Sequence, residues 1–275
     1  MGLNMLRLDF RSSELARPLR RLGQNFLIDK AARDLIVNSA DLSRSDVVLE
    51  VGPGTGFLTE ALIARAGKVI VIEKDPRLVR LLRGKHGRNS RLRIIEGDVL
   101  EARLPRFNKI VCSPPYYISS RLVLLLISKR FRRAVLTLQK EFAERLAAKP
   151  GSREYGRITV MVQHKASVEL TGLIRRDSFR PAPRVDSAVV VIRKKRSEVP
   201  VKSERQFGDM VRFLFTQRRK KARKVLRQYL EMLGRTDITD KTLHSLQDAR
   251  VFQLTVSDLE RLSNEVSKTE PQRSE

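Results

Sequence analysis

A single cysteine, Cys112, stands among 275 residues. It excludes an internal disulfide and fits a reducing compartment. Tryptophan is absent, and the three histidines, His86, His164 and His244, are scattered without the spacing of a metal site. Each is expected to pack or to face solvent, and no metal is expected. No run reaches the roughly eighteen apolar residues of a membrane span. Residues 1–7 lack the apolar core of a secretory signal, and Asp9 and Glu14 speak against an organelle transit peptide. A cytoplasmic protein is expected. Acids are in deficit: 31 Asp and Glu face 56 Lys and Arg, a net charge of +25 with an isoelectric point near 11.0. That excess favours a polyanionic partner, and RNA, DNA and an anionic membrane all fit it.

What is present supports a folded core. The hydrophobic fraction is 41%, and the length suits one large domain plus a small one. Strands are expected at 47–51, 68–72, 92–96, 109–112 and 134–138, alternating with helices at 57–65, 76–83, 122–128 and 140–147. Continuous apolar strands between helices indicate a parallel sheet covered on both faces. Two late strands, 159–162 and 188–192, are expected to form an antiparallel edge. The charged stretch 193–200 marks a boundary, giving domains 1–196 and 197–275. Beyond it the periodicity predicts short helices at 207–215, 222–233, 241–246 and 256–262, then a polar tail from about residue 267.

Strand 47–51 runs into Gly52-Pro53-Gly54-Thr55-Gly56. Such a turn lets backbone N–H groups approach a ligand closely. The dinucleotide fingerprint G-x-G-x-x-G fails, because its last glycine falls on Phe57 or on Thr59. What stands is G-x-G-x-G after an acid, Glu50. This resembles class I S-adenosylmethionine (SAM) methyltransferases. Glu73 closes the next strand about twenty residues on, where a carboxylate can accept both ribose hydroxyls. Asp98 closes the third, where it can accept the adenine amine of SAM. Either acid alone reads equally well as a strand-end cap. Loop, acid and acid at three successive strand ends carry the cofactor reading.

Ser113-Pro114-Pro115-Tyr116 follows the fourth strand, at the rim where α/β sheets bind ligands. The N6 lone pair of adenine is delocalised into its ring, so the amine is a poor nucleophile. The Ser113 hydroxyl and the Pro114 carbonyl can accept its two N–H bonds and aim the lone pair at a methyl donor. The prolines hold these acceptors rigid, which is preorganisation rather than acid–base catalysis. Tyr116 offers a stacking face, worth about 1–3 kcal/mol per base. A plain proline turn is the alternative, and the glycine loop upstream tips the balance towards adenine N6 methylation.

Five segments resemble the ribosomal RNA adenine dimethyltransferases. They are Arg21-Leu22-Gly23-Gln24-Asn25-Phe26-Leu27, Leu138-Gln139-Lys140-Glu141, Tyr155-Gly156-Arg157, the run from Phe179-Arg180-Pro181-Ala182-Pro183 to Val185-Asp186-Ser187-Ala188-Val189, and Phe215-Thr216-Gln217-Arg218-Arg219-Lys220. The likeness is greatest to the small-subunit type and its archaeal branch. It implies an α/β fold of the class I SAM-dependent kind: Rossmann-like, mostly parallel with an antiparallel edge, plus a small C-terminal helical domain. It implies dimethylation of two adjacent adenosines near the 3′ end of small-subunit rRNA, by a monomer acting within a pre-ribosomal particle. Asn25 and Leu27 would close over SAM, with Gly52, Gly54, Glu73, Asp98 and Ser113 completing the pocket. Phe179 would meet the target base opposite Tyr116. Three positions depart from the family pattern: Ser113 replaces the usual Asn, Tyr117 an Asn or Gln, and Ala182 a Pro. The rivals are a large-subunit rRNA adenine methyltransferase and a non-catalytic RNA-binding assembly factor on the same fold.

Residues 214–233, placed on a helix, gather Phe215, Ala222, Val225, Leu226, Tyr229 and Leu233 on one stripe. Only Arg218 intrudes on it. No acid interrupts the run from Arg218 to Arg227, so Arg219, Lys220, Arg223, Lys224 and Arg227 are expected to bind the RNA backbone rather than form a solvated face.

Overall fold

A computed structural model describes residues 17–235 and 246–268. The helix expected at 241–246 lies, Leu246 excepted, outside them, as does the tail beyond residue 268. Five strands pair in parallel: β2 Val47–Val51, β3 Lys68–Glu73, β4 Leu92–Glu96, β5 Lys109–Cys112 and β6 Arg133–Gln139. Their crossovers include helices α2 Phe57–Arg65, α3 Pro76–His86 and α4 Ser119–Ile127. Val48, Leu49, Val69, Ile110 and Val135 are almost wholly buried, as strands covered on both faces must be. Helix α3 starts sharply: the Asp75 carboxylate caps the Arg77 N–H, and Pro76 takes the first helical position.

Two further strands, β7 Ala166–Ile174 and β9 Ser187–Lys194, complete a sheet of order β4-β3-β2-β5-β6-β9-β7 and supply its antiparallel edge. The edge partner is therefore not 159–162. That stretch is helical, within α6 Arg157–Gln163. A four-residue apolar run does not by itself distinguish strand from helix. Here the Gly156 N–H donates to Thr159 Oγ1, and that hydroxyl donates to the Arg145 carbonyl, fixing a helical first turn. The true edge strand escaped because Ser167, Glu169 and Thr171 interrupt its apolar pattern.

A separate two-residue pair joins β1 Phe26–Leu27 to β8 Phe179–Arg180, antiparallel, with Leu27 opposite Phe179. Helix α1 Lys30–Ser39 follows, capped by Asp29 and burying Ala32, Ile36 and Val37.

By packing, the chain divides into two units. Among the described residues the sheet unit holds 17–140 and 170–192, and the second unit holds 141–169, 193–235 and 246–268. The linear cut expected at 196 puts 141–169 with the sheet instead. These residues carry α6 and all but the first residue of α5 Lys140–Ala147, and Tyr155 and Val160 join one core with Phe207, Val211 and Leu226. In the same unit His164 is buried, its Nδ1 2.6 Å from Glu260 and its Nε2 3.3 Å from Glu204, with the ring against Phe207. Among the described residues no helix is long and apolar enough to cross a membrane.

Candidate active site

The sheet order reverses between β2 and β5, with Leu49 beside Ile110 in register. Carried forward, that register sets Gly52 beside Ser113, so the glycine turn and the Ser-Pro-Pro-Tyr loop leave neighbouring strands at the switch point where open α/β sheets bind ligands. A cleft opens there, lined by Asn25, Gly52, Gly54, Glu73, Ser113, Pro114, Tyr116 and Phe179. An adjoining recess takes in Leu27, Glu50 and Thr55, and shares Asn25, Gly54 and Ser113.

The glycines are required by the backbone. Gly54 has φ +59°, and a Cβ there would stand 2.9 Å from the Phe26 ring. The turn is pinned from below by Lys85, whose Nζ donates to the Thr55 carbonyl at 3.0 Å. Glu73 is 6% exposed. One of its oxygens accepts the Gly54 N–H at 3.3 Å, the other the Asp75 N–H at 2.8 Å. Burial pushes its carboxyl up from the ordinary value, and these N–H donors oppose the rise.

Glu50 lies deeper, 1% exposed, accepting from Thr59 Oγ1 at 2.7 Å. Burial pushes its carboxyl up to about 8, and the neighbouring Glu73 charge adds to the rise. The folded protein therefore holds this proton more tightly than the unfolded chain, whose ordinary value is 4.5. Stability is full below pH 4.5, falls as pH rises towards 8, and levels off above it. Glu50→Gln, which keeps the Thr59 bond and carries no charge, is expected to melt at the parent's temperature at low pH. Above pH 8 it is expected to be more stable by on the order of a few kcal/mol. Thermal melts across that range check this, and coincident curves throughout would show that Glu50 is not the titrating group.

Tyr116 opens a short 3₁₀ turn, Tyr116–Ile118, that leads into α4. Its hydroxyl sits 2.5 Å from that of Ser187 on β9, and Ser187 is fully buried. Phe179 is 3% exposed and backed by the sheet unit's core. The two rings line one cleft.

Asp98 does not line the cleft. It ion-pairs at 2.8 Å with Lys74, which does, and that bond holds its carboxyl below the usual range. Gln24, Lys74 and Tyr117 also line the cleft without having been assigned there. Gln24 had a signal, since it sits in the Arg21–Leu27 segment. Its amide donates to Asp75 at 2.9 Å. Burial raises the Asp75 carboxyl, but bonds from Arg77 and Gln24 outweigh it and hold the group at about 2. The bond latches the segment before β1 to the N-terminus of α3, two residues beyond Glu73.

The basic stretch is not one helix. Helix α7 Glu204–Thr216 ends before it, and α8 Ala222–Met232 begins within it. Arg219 and Lys220 lie in the intervening turn, and Arg223, Lys224 and Arg227 are exposed on α8. The intrusion of Arg218 on the apolar stripe is thereby resolved. Its guanidinium leaves the helix path to donate to the Arg153 carbonyl at 2.8 Å, over the Phe252 ring. Leu230 rather than Leu233 completes the buried face. An acid does approach the run in space: Asp248 lies 2.7 Å from Lys221 and 3.7 Å from Arg223.

The profile of a family described as ribosomal RNA adenine dimethylase matches residues 17–268. A probable ribosomal RNA small subunit methyltransferase A from Thermococcus onnurineus is 46% identical over 248 residues, covering 88% of this chain and 89% of that protein. A protein of the same description from Methanothermobacter thermautotrophicus is 40% identical, covering 90% of each. A dimethyladenosine transferase from Plasmodium falciparum has a similar solved structure, with TM-score 0.78 at 29% identity over 88% of this chain and 98% of that one. So does the 23S rRNA methyltransferase ErmE, with TM-score 0.67 at 27% identity, over 88% and 100%. Glycine turn, Ser-Pro-Pro-Tyr loop and the match along nearly the whole chain agree: the chain belongs to the ribosomal RNA adenine dimethylase family, with a class I methyltransferase fold.

Proposed function

We propose that this protein uses SAM to dimethylate, at N6, two adjacent adenosines near the 3′ end of small-subunit rRNA. It acts as a cytoplasmic monomer on a partly assembled subunit. The observation that carries the reading is the sharing of one cleft by Gly54 and Glu73 with Ser113, Tyr116 and Phe179. A cofactor site and an amine-gripping loop are useful together only if a group passes between them.

The cleft fits SAM. Gly52 and Gly54 take left-handed backbone in which a side chain would be strained, and Glu73 presents a buried carboxylate. SAM bound there supplies an electrophilic methyl group. Asn25 and Leu27 cover it, Gly52 and Gly54 let it approach the backbone, and Glu73 accepts from its ribose. Asp98 would accept the adenine amine of SAM, although it lies outside the cleft's lining and is paired with Lys74. Ser113 and the Pro114 carbonyl hold the target amine, and Tyr116 and Phe179 hold the base. The chain's part is positioning and exclusion of water. Mass spectrometry of small-subunit rRNA from cells with and without the gene tests the whole reading. Adenosines equally methylated in both would remove it.

Ser113 is the point at which product distribution is set. A hydroxyl is shorter than a carboxamide and less fixed in direction, and a second transfer needs the monomethylated amine to turn and be held again. Ser113→Asn is expected to change the ratio of mono- to dimethyladenosine at matched turnover. An identical ratio would leave that substitution without mechanistic meaning.

The helical unit supplies RNA affinity through Arg219, Lys220, Arg223, Lys224 and Arg227. Each phosphate neutralised by such a side chain releases condensed counterions, so affinity falls steeply with salt. Replacing Arg223, Lys224 and Arg227 with Gln leaves the buried face of α8 intact. It is expected to flatten the log–log salt slope by up to roughly 0.7–0.9 per contact on a partly assembled subunit, with SAM affinity kept. Because Asp248 already neutralises part of Arg223, Lys224 and Arg227 are expected to carry most of the change. A slope equal to the parent's would make this a solvated face.

A further inference from the structure

A second groove shares Phe179 with the cleft but lies outside it. Its floor is apolar: Ile28 is 38% exposed, and Pro181 and Ala182 are exposed beside it. Its rim carries the exposed Arg17, Arg20 and Arg180. The acid that lines it, Asp177, is already ion-paired to Arg175 at 3.3 Å, so the lining is net positive. The walls are tied down by backbone bonds. Phe26 pairs with Arg180, and the Ile28 N–H donates to the Ser178 carbonyl at 2.9 Å. The Arg17 carbonyl accepts from the Arg77 guanidinium at 3.2 Å. A groove held this way costs little ordering when it is filled.

An apolar floor with a cationic rim suits a single-stranded polyanion whose bases seek apolar surface and whose phosphates seek guanidinium groups. A duplex would offer it phosphates only. We propose that this groove binds the single-stranded RNA adjoining the target adenosine, with Ile28, Pro181 and Ala182 receiving a base and Arg17, Arg20 and Arg180 receiving phosphates. The proposal rests on the adenine reading given above. It adds a path by which RNA reaches Phe179. It also gives a consequence to Ala182, which widens the floor where the family usually has a proline.

The test uses the full chain and a fluorescent single-stranded oligoribonucleotide of about eight nucleotides, alongside its duplex, read by anisotropy across a salt series. One variant combines R17Q, R20Q and R180Q; another is A182E. All four side chains are exposed, and calorimetric SAM binding verifies that the cleft survives. The triple variant is expected to lose about 2 from the log–log salt slope, roughly 0.7 for each of three single-strand contacts. It should bind on the order of a hundredfold more weakly at 0.1 M salt, the gap closing towards 1 M. A182E is expected to weaken the single strand as well, with SAM affinity unchanged in both. Parent-like affinity and slope in the triple variant would overturn the proposal, as would equal binding of duplex and single strand by the parent protein. Methylation of partly assembled small subunits by the parent protein is scored separately. Success there with an unaffected triple variant sinks the groove alone, and failure there sinks the adenine reading.

Discussion

Tyr116→Ala is expected to lower kcat/KM for methyl transfer by roughly 10²-fold or more while SAM affinity stays within about twofold. The ring is held at two points. Its backbone begins the turn into α4, and its hydroxyl meets Ser187. Removing it forfeits stacking of about 1–3 kcal/mol and frees the base to shift, and a shift of about 1 Å can by itself cost 10²-fold. Tyr116→Phe separates the contributions. It keeps the stacking face and leaves only the Ser187 hydroxyl without its partner, so the loss is expected to be much smaller. Burial raises the phenol's pKa, so no titration of Tyr116 should appear in the rate profile near neutral pH. Loss of SAM binding in a folded Tyr116→Ala protein would move the residue from the base pocket to the cofactor pocket.

The second large effect is expected at Glu73. Each carboxylate oxygen spends one lone pair on a backbone N–H, from Gly54 or from Asp75, and keeps another for a ribose hydroxyl. Glu73→Ala removes four acceptor roles at once. Two backbone N–H groups of the glycine turn and the β3 end lose partners, and each unsatisfied group costs about 1–3 kcal/mol. SAM affinity measured by calorimetry is expected to fall by on the order of 10²-fold or more. Glu73→Gln isolates the cause. It keeps one oxygen but points an N–H donor at another N–H donor, so it should recover only part of the loss. An undiminished affinity in Glu73→Ala would take Glu73 out of the site.

The parallel sheet was legible because its strands are buried on both faces, so continuous apolar runs such as 47–51 and 109–112 mark them directly. The edge was not. Strand β7 is half exposed, and its pattern carries too little apolar signal. The glycine turn and the Ser-Pro-Pro-Tyr loop were legible because their chemistry is local. Gln24 and Lys74 were not, because their parts depend on contacts across the fold: Gln24 reaches Asp75, 51 positions away. The same distance effect altered the basic run. Its sequence is free of acids, yet Asp248 comes from 27 positions beyond Lys221 to meet it. Alternation of charge along a chain does not disclose partners brought in by folding.

Among the described residues the second unit is assembled from two regions of the chain separated by the sheet unit's 170–192: 141–169, and the residues between 193 and 268. During synthesis the first stretch leaves the ribosome without the second. Tyr155 and Val160, both wholly buried in the finished protein, must wait in water until Phe207 and Val211 follow. That core closes late and over long loops, which slows folding and lengthens the exposure of apolar surface. A chain truncated at 196 would not be a trimmed enzyme lacking an appendage. It would carry an unfinished core, and aggregation is its expected fate.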